Sequence, residues 1–293
     1  MTSADGLEHG GPTRESDIER TIRANDPALI AYLTAGDPAL ERTASFVEAL
    51  DRGGTDLIEL GMPFSEPIAE GPTIQAAIQR ALTAGTTPEG VFELIDGLDV
   101  DAPLAVMTYY NVIFQYGPSD EPGVEAFTDR ATEVGLSGLI VPDLPAEEAG
   151  PLLAACRDRG IDLVFIVAPT TTDDRLDRIM TRTSGFAYVQ ARLGTTGARA
   201  DVSTATHESL QRLVDYDVPK AVGFGVSEAE HAAELVAAGA DGVIVGSALV
   251  DLAARAEEPV TALESKAAEL KAGAVSGLDE RAGTESVPEP EHP

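Results

Sequence analysis

The chain has 293 residues, enough for one large domain or two small ones, and 43% of them are hydrophobic, which is ample for a buried core. Fifty acidic residues against twenty basic ones give a formal net charge of -30. The acids are spread along the whole length. Such a surplus disfavours nucleic acid as a partner, since no basic stripe is present, and it points to a protein made for a salt-loaded cytoplasm. An ordinary acidic protein of a low-salt organism is the alternative. A single cysteine, Cys156, excludes an internal disulfide, and its place in the apolar helical stretch 152–156 marks it as core packing. No run is long enough to span a bilayer and the N-terminus has no secretory pattern, so a cytoplasmic location is expected.

Residues 1–15 and 274–293 are polar, acidic and rich in Gly and Pro, and read as mobile tails around a folded unit at 16–273. A short helix is predicted at 17–24. Apolar runs then follow at 29–34, 57–61, 104–110, 138–143, 163–168, 186–191, 221–225 and 242–246. Each is apolar on both faces, as expected of parallel strands covered by helices. Amphipathic helical stretches separate them at 41–51, 73–82, 124–134, 147–159, 173–182, 207–216 and 228–238, with a last helix at about 261–272. Gly53, Gly85, Gly135, Gly160 and Gly239 stand at helix ends. Eight strands alternating with eight helices is the count of an α/β (β/α)8 TIM barrel with a short extra N-terminal helix. A doubly wound open sheet is the alternative arrangement.

The stretch 56–72, DLIELGMPFSEPIAEGP, is the most informative in the chain. A buried strand ends in a carboxylate, Glu59, and runs into a loop punctuated by Pro and Gly that carries two more, Glu66 and Glu70. A carboxylate inside an apolar strand is costly to bury and so has a partner, a raised pKa or a chemical task. A turn between Glu59 and Glu70 could fold both over one pocket, as a general acid and base require. At the other end of the chain, Gly194–Gly197, Gly223–Ser227 and Gly246–Ala248 follow the last three strands. Backbone N–H groups in glycine loops and at helix starts hold phosphate without needing bases.

Schiff-base chemistry finds no lysine in position. Lys220 opens a strand at the N-terminal face, and Lys266 and Lys271 fall on the last helix. The four histidines, His9, His207, His231 and His292, show no ligand spacing, so no metal site is expected. Carboxylates, hydroxyls and backbone donors remain.

With these residues in view, the chain resembles the tryptophan synthase alpha subunit family along nearly its whole folded length. Residues 32–38, YLTAGDP, look like the family's first-strand motif, and 59–75 look like its signature ELGxPFSDPxADGPxIQ. Residues 192–197 are similar to its mobile loop, and 223–227 and 246–247 to its phosphate site. The resemblance implies a lyase of tryptophan biosynthesis that splits indole-3-glycerol phosphate into indole and glyceraldehyde 3-phosphate. It matches Glu59 to the catalytic glutamate and Glu70 to an aspartate facing the indole nitrogen. Tyr188 matches a tyrosine close to Glu59. Tyr32 takes the place of a phenylalanine beside the indole ring, Tyr109 matches another pocket aromatic, Thr196 and Gly197 match the loop, and Gly225, Gly246 and Ser247 match the phosphate site. The chain departs from the pattern at Glu66 and Glu70, where the family has aspartates, and at Leu193, where many members have serine. One extra methylene moves a carboxylate by about 1.5 Å. The resemblance also implies an α2β2 heterotetramer whose beta subunit carries pyridoxal phosphate and receives indole, with no cofactor in this chain. Glu66 and residues 109–111 resemble positions at that interface.

Two other readings of the residues are a different phosphate-binding barrel enzyme of the same pathway region, which would carry a catalytic lysine at a C-terminal strand end, and a non-catalytic subunit that only activates a partner.

Overall fold

The computed structural model describes residues 16–68, 70–120, 122–191, 204–223 and 225–285. The tail expected at 1–15 and the loop at 192–197 lie outside the described residues.

Among the described residues, nine parallel strands run in the order β5-β4-β3-β2-β1-β9-β8-β7-β6. They are β1 Ala28–Thr34, β2 Leu57–Gly61, β3 Leu104–Met107, β4 Gly138–Ile140, β5 Asp162–Val164, β6 Ile166–Val167, β7 Ala187–Gln190, β8 Lys220–Gly223 and β9 Gly242–Val245. The two ends of this ladder, β5 and β6, are separated in the chain by Phe165 alone, so covalent continuity closes the ring. The expected fifth strand is therefore divided. Its first half pairs with β4 and its second with β7, as the stagger of a tilted barrel demands. The eight-stranded (β/α)8 barrel predicted from the apolar runs is the fold observed.

Period-2 alternation sorts the strand residues into two cores. Ala28, Ile30, Leu57, Ala105, Ile140, Val164, Phe186, Tyr188, Ala221 and Ile244 form one cluster, with Ile18 and Ile22 added from α1 (Asp17–Ala24). These two isoleucines, one helical turn apart and fully buried, close the N-terminal end of the barrel. Ser16 caps α1 by accepting the Glu19 N–H at 2.9 Å, and its hydroxyl donates to Asp162 at the start of β5. The other strand faces pack outward against the helices, in the large cluster that includes Leu29, Phe46, Leu60, Val106, Phe127, Leu163 and Val243. Cys156 lies fully buried in that layer, and burial pushes its thiol up to about 12.

The helices are more numerous than the eight expected. α2 (Leu40–Arg52), α3 (Pro72–Thr83), α6 (Val124–Glu133), α7 (Gly150–Arg159), α8 (Asp173–Met180), α9 (Thr204–Gln211) and α10 (Ala229–Ala237) match predicted ones, but α4 (Pro88–Asp96), α5 (Tyr110–Gln115) and α11 (Ser247–Arg255) are additional. The run 104–110 is not all strand: β3 ends at Met107 and α5 begins at Tyr110.

The C-terminal boundary expected at 273 is also corrected. α12 spans Pro259–Glu285, and Ala274 is fully buried. Gly273 and Gly277, which look like breakers, are contact points. A Cβ at Gly273 would stand 2.4 Å from the Ala229 carbonyl oxygen, and one at Gly277 would stand 2.3 Å from that of Ala233. Glycine there lets α12 lie directly on α10. Residues 274–285 thus belong to the folded unit, and 286–293 lie outside the described residues.

Candidate active site

Alternation along β2 places Glu59 on the same side as Leu57, inside the barrel and near its C-terminal mouth. The residue is 1% exposed. Among the described residues neither of its carboxyl oxygens has a hydrogen-bond partner. An ionised carboxylate there would lose its hydration with nothing in exchange, and burial pushes Glu59 up to about 8 from the ordinary 4.5. Near neutral pH the side chain is a carboxylic acid with a proton to give.

Two tyrosines wall this position. Tyr32 of β1 is the register partner of Glu59, and Tyr188 of β7 faces the same interior. Each ring lies across a glycine on the next strand. A Cβ at Gly61 would fall 2.0 Å from the Tyr32 hydroxyl, and one at Gly223 would fall 3.0 Å from the Tyr188 hydroxyl. Both phenols are raised well above their ordinary value, chiefly by burial and further by the neighbouring Glu59. They are therefore neutral, and the Tyr32 hydroxyl shares a hydrogen bond with the Thr34 hydroxyl at 3.5 Å.

Glu70 is half-buried at the end of the loop leaving β2. Its Oε2 accepts the Tyr109 hydroxyl at 2.6 Å, and the same hydroxyl accepts the Ile68 N–H at 2.7 Å. Phe64 stacks on the Tyr109 ring, with centroids 4.8 Å apart. Gln75 in α3 donates to the Glu70 carbonyl at 2.8 Å. One buried tyrosine thus holds the loop at three points, at Phe64, Ile68 and Glu70. Glu66 lies exposed on the same loop. Phe64 and Gln75, both inside the signature, are the anchors that residue-by-residue reading passed over.

The roof of the mouth is apolar. Ile74 and Ala77 of α3, Val250 of α11 and Met107 gather around Tyr32. Gly246 caps α11, with Ser247 as its first residue and no acid in the first turn. Gly225 has φ 86°, a left-handed conformation suited to glycine. The open N–H groups of this helix start lie beside Tyr32, whose ring is 3.5 Å from where a Gly246 Cβ would stand. Such a terminus suits an anion. Thr196 and Gly197 lie outside the described residues. Lys220 opens β8 at the opposite face, donating to the Tyr216 carbonyl at 2.7 Å. Among the described residues no group of three or more His, Cys, Asp or Glu side chains is placed to hold a metal ion. Nor is any helix among them long and apolar enough to cross a membrane.

A closed α/β barrel with a buried carboxyl group inside its mouth, a loop carboxylate held by Tyr109 and a helix start beside Tyr32 has the frame of a (β/α)8 enzyme. The family model of the tryptophan synthase alpha chain matches residues 18–276. The tryptophan synthase alpha chain of Natronomonas pharaonis is 61% identical over 268 residues, covering 89% of this chain and 97% of the relative. That of Haloferax volcanii is 59% identical over 265 residues, covering 88% and 95%. Both come from halophilic archaea, in keeping with the acidic composition. Among solved structures, Mycobacterium tuberculosis tryptophan synthase superposes with a TM-score of 0.79 at 36% identity, covering 89% of this chain and 99% of that one. The tryptophan synthase complex of Pyrococcus furiosus superposes with a TM-score of 0.75 at 38% identity, covering 84% and 98%. The chain belongs to the tryptophan synthase alpha chain family.

Proposed function

We propose that Glu59 is the proton donor with which this chain carries out the lyase step of its family, the cleavage of indole-3-glycerol phosphate in tryptophan biosynthesis. The observation that carries the assignment is the fully buried, unpartnered carboxyl group inside the barrel mouth. The Glu59 acid protonates C3 of the indole ring, and positive charge appears at the ring nitrogen. Glu70, held by Tyr109, faces that nitrogen and stabilises the charge. The carboxylate left on Glu59 then takes the carbinol O–H proton. The bond between C3 and the carbinol carbon breaks, and its electron pair returns to the ring. Indole and glyceraldehyde 3-phosphate result, and Glu59 regains its proton. Tyr188 donates toward Glu59 while it is charged, and Tyr32 and Tyr109 line the ring pocket. Gly225, Gly246 and Ser247 bind the phosphate, and the resemblance assigns Thr196 and Gly197 to the same substrate.

The extra methylene of Glu70 is taken up by the Tyr109 hydrogen bond, so the longer side chain has a fixed end point. The partner is a beta subunit in an α2β2 complex, which carries pyridoxal phosphate and takes up the indole in the cytoplasm. Support comes from an exposed apolar patch beside the mouth: Ile68 is 77% exposed and Phe114 is 60% exposed, with Tyr110 ringed against Phe114. Glu66 and Asn111 lie on the same elements. Release of indole from indole-3-glycerol phosphate by the wild-type chain, and its loss in Glu59→Gln, tests the assignment.

A further inference from the structure

Arg80 stands on the third turn of α3, 42% exposed, yet one edge of its guanidinium is turned inward onto a buried carboxylate. Nε donates to Oδ1 of Asp37 at 2.8 Å and Nη2 donates to Oδ2 at 2.7 Å, a parallel two-bond fork. Asp37 is 6% exposed, on the loop leaving β1, and its own N–H is tied to the Thr34 carbonyl at 3.3 Å. Asp251 of α11 also faces the guanidinium. The loop leaving β1 follows Tyr32 directly, α3 begins two residues after Glu70, and α11 begins at Ser247.

Nearer its start, α3 lays Ile74 and Ala77 on Tyr32, and Gln75 holds the Glu70 carbonyl. Glu70 precedes the first residue of α3 by only two positions. A helix is stiff, so fixing one end fixes the other. The hydrophobic contacts of Ile74 and Ala77 are non-directional and leave the helix free to slide or rotate slightly. The fork on a buried carboxylate is directional.

We propose that Arg80 is a positioning residue: by its two-bond grip on Asp37 it sets the rotation and height of α3, and so the place of the Glu70 carboxylate opposite the indole nitrogen. The inference rests on the role of Glu70 given above. Lysine, a point charge without a fork, would hold the charge but not the angle.

A non-cleavable indolyl-propyl phosphate is a suitable probe, because the chain has no tryptophan and all indole emission belongs to the ligand. Its Kd is measured in molar KCl for the wild-type chain, Arg80→Gln, Arg80→Lys, Glu70→Ala and the Arg80→Gln/Glu70→Ala double variant, with circular dichroism confirming the fold. Arg80→Gln is expected to weaken binding about tenfold, the scale of one hydrogen bond to a charged group. Arg80→Lys is expected to fall between it and wild type, and it carries the comparison if Arg80→Gln does not fold. The double variant is expected to bind no more weakly than Glu70→Ala alone. Inorganic phosphate is expected to displace the probe with the same affinity in every variant. Wild-type binding in Arg80→Gln, losses that multiply in the double variant, or weakened phosphate binding would each overturn the positioning role. Wild-type binding in Glu70→Ala would instead strike the reading of Glu70 itself, and the role of Arg80 with it.

Discussion

Glu59→Gln separates the electrostatic cost of the site from its chemistry. In the wild-type chain the unfolded glutamate ionises near 4.5, whereas the folded one holds its proton to about 8. Its folded pKa is raised, so its contribution to stability is fully present below about 4.5 and is lost as pH rises through 8. The interval corresponds to a penalty on the order of 5 kcal/mol at and above pH 8, at about 1.4 kcal/mol for each tenfold change in proton concentration. Glutamine has nearly the same shape and never ionises. Its unpartnered amide carries a cost of its own, but one that does not change with pH. The difference in Tm between Glu59→Gln and wild type should therefore shift in favour of the variant between pH 6 and pH 9. A little over half of that penalty, on the order of 3 kcal/mol, falls between pH 6 and pH 9, and at roughly 2–4 °C for each kcal/mol in a domain of this size the expected movement is about 5–10 °C. Melting in molar KCl reads it directly, and every other titrating group cancels in the comparison. The same variant should release no indole, and wild-type turnover should fall as pH rises through about 8, where the donor loses its proton. A Tm difference that is flat with pH would refute the buried acid, and full turnover in Glu59→Gln would refute its use as the proton donor.

Other predictions concern the loop and the frame around it. Glu70→Asp should retain turnover and Glu70→Ala should lose most of it, measured as kcat for indole release; two wild-type values would remove the nitrogen-side role. Tyr109→Phe deletes the hydroxyl that joins Ile68 to Glu70, and should lower kcat by about tenfold and cost about 1–2 kcal/mol in melting experiments. Ser16→Ala removes the cap of α1 and its bond to Asp162; it should lower stability by about 1 kcal/mol while leaving kcat unchanged. With a net charge of -30, the chain should lose compact structure when KCl is dialysed away, followed by circular dichroism across a salt series.

The parts of this molecule that could be read from sequence are those governed by short-range patterning. Strands buried on both faces leave unbroken apolar runs, and every such run became a strand. The carboxylate in 57–61 stood out because it violated that pattern. What escaped was set by partners distant in the chain. Phe165 looks like the middle of a strand, and only the stagger between β4 and β7 divides it. Thr108 and Tyr109 extend an apolar run, but Tyr109 turns out of the sheet to hold Ile68 and Glu70. The last helix reads short, at about 261–272, because the reason for glycine at 273 and 277 is the distant backbone of α10. Nothing local marks Arg80 as the partner of Asp37, forty-three residues earlier. The additional helix α11 is built of helix-favouring Ala and Leu, and it starts at the Gly246–Ala248 loop read from sequence as an anion site.

The most direct test of the whole account is indole formation from indole-3-glycerol phosphate by the purified wild-type chain in molar KCl, followed by indole emission, with and without the beta subunit. Turnover by the chain alone and faster turnover with the partner are expected. No indole under either condition would contradict this and would leave the chain a binding subunit built on an enzyme's frame.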